Sequence, residues 1–113
     1  MREDRLIGIN MIIYQNKSFV TICKPGHIGF MGVFLKDIHL GYPVGTFLEI
    51  KFVSHTYDYS QNARIPVIVN HSGKNGTGLR LKDFTKDIVK KWQRILRAIR
   101  KPFVPEKHKV FVD

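Results

Sequence analysis

Between Lys86 and Lys101 the chain carries seven basic side chains and one acid, Asp87. At about 100° per residue, Lys86, Lys90, Arg94, Arg97 and Lys101 fall on the side of a helix opposite Trp92 and Ile95. Such a face reads either as the solvated side of a helix docked on a β core or as an electrostatic docking surface for an acidic partner, nucleic acid or membrane head groups, and it makes or breaks no covalent bond. The residues that would do bond chemistry are sparse. Five histidines (His27, His39, His55, His71 and His108) lie at no metal-ligand spacing, and a single cysteine rules out a zinc ribbon, so no metal site is expected. Gly73-Lys74-Asn75-Gly76-Thr77-Gly78 lacks the order of a phosphate-binding loop and reads as a hairpin turn. Cys23 sits in an apolar strand with no activating base near it in sequence, which suits a small core residue. The chain is expected to be no enzyme and to need no cofactor.

The elements that must carry these residues follow from periodicity. Ile9 to Tyr14 and Ser18 to Cys23 are β-branched and aromatic runs joined by Gln15-Asn16-Lys17, and Gly32 to Lys36 is a third run. Thr46 to Ser54 alternates cleanly, with Leu48, Ile50 and Phe52 on one side and Glu49 and Lys51 on the other. Ile65 to Asn70 and Thr77 to Leu81 flank Asn75-Gly76, a pair suited to the positive φ angles of a tight turn. The polar run from His55 to Asn62 reads as a loop too polar for the core. Beyond Leu81 the period lengthens: Ile88, Trp92, Ile95, Leu96 and Ile99 form one apolar stripe, with Asp83 or Thr85 as cap and Pro102 as stop. A helix from about residue 85 to 101 is expected.

Length and charge bound what this assembly does. The 113 residues suffice for one core without disulfides, so one domain over 1–113 is expected: a barrel over about 6–82, the helix, and a tail over 102–113. No apolar run reaches the roughly 18 residues of a membrane span, and Leu6 to Tyr14 lacks a leader's cleavage site. The lone Cys23 fits a reducing compartment, and a cytoplasmic location is the expectation. With 19 Lys and Arg against 9 Asp and Glu, the formal net charge is +10, which favours anionic partners.

The segments Gly26-His27-Ile28-Gly29-Phe30-Met31-Gly32-Val33-Phe34-Leu35, Pro43 to Phe52, Ile65 to Asn70 and Gly76 to Phe84, followed by the helix, resemble in order and spacing the PilZ domain of bacterial cyclic di-GMP signalling. The likeness spans about Leu6 to Leu96. It implies a mainly β fold, a six-stranded antiparallel barrel with a C-terminal amphipathic α-helix. The family holds the dinucleotide with an N-terminal R-x-x-x-R and a [DN]-x-S-x-x-G at the start of the third strand. Here the second motif aligns with His27 to Gly32, where only Gly32 matches; His27 replaces the acid or amide and Gly29 the serine. Arg2 and Arg5 are separated by two residues where the family has three, and Arg5 is the better match to the second arginine.

Guanidinium forks and base-edge hydrogen bonds are not replaced by generic positive charge. Losing two or three charge-assisted bonds, at ~1.5–3 kcal/mol each, weakens binding by orders of magnitude. The resemblance therefore implies weak or absent cyclic di-GMP binding, and an adaptor that captures an acidic protein in motility, pilus or surface-polysaccharide regulation. Its contacts would be Lys90, Arg94, Arg97 and Lys101, with the apolar tail around Phe111. Two alternatives stand beside it. One is a cyclic di-GMP receptor of unusual geometry, with Arg2 and Arg5 clamping phosphates and His27 meeting a base. The other is a basic barrel that binds nucleic acid through exposed aromatics such as Tyr57 and Tyr59.

Overall fold

A computed structural model describes residues 8–100 other than 56 and 62. Seven strands, β1 (Ile9–Gln15), β2 (Ser18–Cys23), β3 (His27–Ile28), β4 (Gly32–Lys36), β5 (Phe47–Ser54), β6 (Ile65–Gly73) and β7 (Gly76–Leu81), precede one helix, α1 (Lys86–Arg100). All pairings are antiparallel, in the order β2-β1-β5-β6-β7-β4-β3. The end strands β2 and β3 share no ladder among the described residues. The fold is thus mainly β with a C-terminal helix, but the sheet has seven strands and is open, where a closed six-stranded barrel was expected. The additional strand is β3, two residues long and too short to show any alternation in sequence.

The core forms because alternate residues of paired strands land on one face. Ile13 lies opposite Ile50 and Met11 opposite Phe52, while Leu48 faces Val67 and Ile50 faces Ile65. All are essentially fully buried. The α1 stripe closes this core: Trp92, Ile95, Leu96 and Ile99 are buried, and the Trp92 ring meets Phe52 with centroids 5.7 Å apart. Thr85 caps the helix, its Oγ1 accepting from the Ile88 amide at 3.4 Å and its carbonyl from Val89 at 2.9 Å.

Three local expectations are corrected. Gln15 pairs with Ser18, so the first hairpin loop is only Asn16-Lys17, both at positive φ (51° and 71°), the geometry whose twist matches the flanking strands. In the last hairpin Gly73 pairs with Gly76, leaving Lys74-Asn75 as the loop. Gly76 is required there by its φ of 143° and because a Cβ would lie 2.2 Å from the Leu35 carbonyl oxygen. The segment from His55 to Asn62 is not wholly excluded from the core: Ser60 is 5% exposed. Its burial is tolerated because its Oγ accepts from the Phe52 amide at 2.9 Å and its own N–H reaches Asp58 Oδ1 at 2.9 Å.

Candidate functional site

Two surfaces gather the chemistry-bearing residues. The first is an open groove of about 540 Å³ on the outer side of β3, β4, β7 and β6. Register explains it. His27 lies opposite Phe34, Phe34 opposite Gly78, and Gly78 opposite His71, so one row crosses all four strands. Gly78 contributes no side chain to that row, and the Phe34 and His71 rings meet beside it, 5.9 Å apart and tilted by 46°. A Cβ at Gly78 would sit 2.5 Å from Asn70 Oδ1, because the ladder shifts register between Val69 and His71. In the neighbouring row Gly32 lies opposite Arg80. Arg80 lines the groove, and its Nη1 donates to the Leu81 carbonyl at 3.0 Å.

The structure brings His27, Gly29 and Gly32 together in this groove and adds Asn70, His71 and Arg80 to them. None of the lining residues is acidic, and none offers a thiol, hydroxyl or carboxylate. The groove presents two imidazoles, one amide and one arginine beside the Phe34 ring, groups that can contact a planar ring or an anion. Its three added residues were not legible as site residues, since β6 and β7 approach β4 only through pairing across some 40 residues of chain. Arg2 and Arg5 lie outside the described residues.

Gly32 also has a purely steric reason to be glycine. A Cβ there would lie 2.1 Å from the Leu79 carbonyl oxygen and 2.7 Å from Arg80 Cα. Its agreement with the family motif is therefore dictated by the β4–β7 approach, whatever occupies the groove.

The second surface is the outer side of α1. Lys86, Lys90, Arg94 and Arg97 are exposed, opposite the buried stripe, as the periodicity indicates; Lys101 and Phe111 lie outside the described residues. Apart from Asp87 in the first turn, the helix carries no acid. The two surfaces share a border, because α1 grips the segment that leads into the groove. Trp92 Nε1 donates to the Gly29 carbonyl at 3.0 Å, and Arg100 donates to the Ile28 carbonyl.

Other candidates take lesser parts. Tyr57 and Tyr59 meet edge to face, 4.8 Å apart, and Tyr59 packs partly against the core, so they do not form a stacked aromatic platform. Cys23 is half-buried against the core, and burial pushes its thiol pKa up. No group of three or more His, Cys, Asp or Glu suited to a metal ion occurs among the described residues. No described helix is long and apolar enough to cross a membrane. The fold is a mainly β module whose one described helix carries a basic outer face. Comparison with protein-family models, curated proteins and solved structures finds no match to this chain.

Proposed function

We propose that the chain is a PilZ-like adaptor without catalytic activity that captures an acidic protein partner on the exposed face of α1, in bacterial motility, pilus or surface-polysaccharide regulation. The observation that carries this reading is the division of labour on α1. Trp92, Ile95, Leu96 and Ile99 are fully used by the core, whereas Lys90, Arg94 and Arg97 are exposed and carry no part of the packing. Like charges lined up on one helix repel one another, although Arg97 in the last turn is favourably placed for the helix dipole. A carboxylate-rich surface would relieve that repulsion on docking.

The test is charge reversal. Arg94→Glu combined with Arg97→Glu is expected to abolish recovery of the partner by in-cell crosslinking while leaving the thermal midpoint within a few degrees of the parent. Undiminished recovery with the double variant would remove the assignment.

A second reading, a cyclic di-GMP receptor of unusual geometry, is favoured by one observation: His27, Gly29 and Gly32 share their groove with Arg80 and His71. Arg80 would supply a guanidinium from β7, in place of or beside Arg2 and Arg5. Against it stand positions 27 and 29, which offer neither a carboxylate or amide nor a hydroxyl to a guanine edge. The first reading therefore expects cyclic di-GMP to bind weakly or not at all.

A further inference from the structure

The turn between β3 and β4 is closed by the Gly29 amide donating to the Gly32 carbonyl at 2.7 Å, which leaves Phe30 and Met31 at its tip. These two neighbours are 72% and 52% exposed and adjoin each other, and contiguous exposed apolar surface rimmed by polar residues marks interaction sites. The turn runs along α1. Ile28 is held by Arg100 near the helix C-terminus, Gly29 by Trp92 in its middle, and the Met31 carbonyl accepts from the Leu81 amide at 2.9 Å, just before the helix begins. Phe84, 48% exposed, lies in the same approach to the helix.

The cations flank Arg100, which holds Ile28 at the base of this turn. At about 100° per residue, Lys86, Lys90 and Arg97 fall within roughly 80° of Arg100, on its solvent side, whereas Asp87 falls on the far flank of the helix. The apolar stripe of α1 is consumed by the core and has nothing left to insert into lipid. The apolar component that a basic helix lacks is supplied here by a different element, the β3–β4 turn.

We propose that this edge of the molecule is a peripheral docking surface for an anionic lipid bilayer: Phe30 and Met31 enter the headgroup region while Lys86, Lys90 and Arg97 meet lipid phosphates. A protruding aromatic tip beside a one-sign strip is the combination by which soluble domains join buried apolar area to electrostatic attraction at a membrane surface. The inference goes beyond capture of an acidic protein and does not require a ligand in the groove. It shares Lys90 and Arg97 with the adaptor reading, and Phe30 separates the two.

The experiment is cosedimentation of the full chain with phosphatidylglycerol-containing vesicles and with pure phosphatidylcholine vesicles at physiological ionic strength. The chain should pellet with the first and stay in solution with the second. Phe30→Ser, a change at an exposed tip, should weaken the partition by about ten-fold with an unchanged circular dichroism spectrum. Lys90→Glu with Arg97→Glu should weaken it further, since each cation near an anionic surface contributes about five-fold. Failure to pellet with phosphatidylglycerol vesicles would overturn the proposal, as would a Phe30→Ser partition equal to that of the parent. If the crosslinked partner is still captured in either case, the adaptor reading stands without this one.

Discussion

The groove and the outer face of α1 are both basic and both contain residues singled out from sequence, but they differ in what else explains them. In the groove, packing already dictates part of the residue choice: Gly32 is forced by a backbone approach of 2.1 Å, and His71 rests against the Phe34 ring. On α1, Lys86, Lys90, Arg94 and Arg97 are exposed and take no part in the buried stripe. A residue type that the fold itself demands says little about a ligand. A residue type that the fold leaves unconstrained, repeated along one face, says more. For this reason the matching glycine of the nucleotide motif carries less weight here than four exposed cations.

That contrast can be broken by substitutions that separate structural from functional residues. The largest effect belongs to Trp92→Ala, which empties a fully buried site and removes the Nε1 bond to Gly29. A loss of about 3–5 kcal/mol in chemical denaturation is expected, and a loss under ~1 kcal/mol would mean α1 is not part of the core. Next comes Gly32→Ala, expected to destabilise by about 2–3 kcal/mol through the clash with Leu79, with or without any ligand; a stable variant would return Gly32 to the list of purely functional residues. Ser60→Ala leaves the buried Phe52 amide unpaired and should lower stability by about 1–3 kcal/mol, read by the same titration. At the small end, Arg94→Glu with Arg97→Glu should change stability by less than about 1 kcal/mol while removing partner capture.

The thiol of Cys23 supplies a check of opposite kind, by pH. Because burial raises its pKa in the folded state, the neutral form is the one the fold favours. The associated stability is complete below the unfolded thiol's pKa and is lost as pH rises through the higher folded value. Alkylation of the native chain at neutral pH should accordingly run slower than that of the urea-unfolded chain; equal rates would show that the thiol is not shielded.

Much of the fold was legible because its signals are local. Short apolar runs, β-branched and aromatic in the first case, located Ser18–Cys23 and Gly32–Lys36 to the residue, and the stripe from Ile88 to Ile99 with its cap and stop signals located α1 closely. What escaped depends on distant pairing. The two residues of β3 become a strand only by lying against β4, and they add a seventh strand at the sheet's end. Ser60 became buried through the Phe52 amide, a partner no polarity pattern reveals. Arg80 reached the groove because Gly32 stands opposite it, and the sequence placed the two nearly fifty residues apart. The basic face needed only helical period, so it was readable in full over Lys86, Lys90, Arg94 and Arg97.

The most direct test of the weight given to these two surfaces is isothermal titration of the chain with cyclic di-GMP near physiological salt, alongside Arg80→Ala. The account predicts no saturable heat in the micromolar range for either protein, with function residing on α1. Saturable micromolar binding by the parent that disappears in Arg80→Ala would contradict it and make the groove the working site.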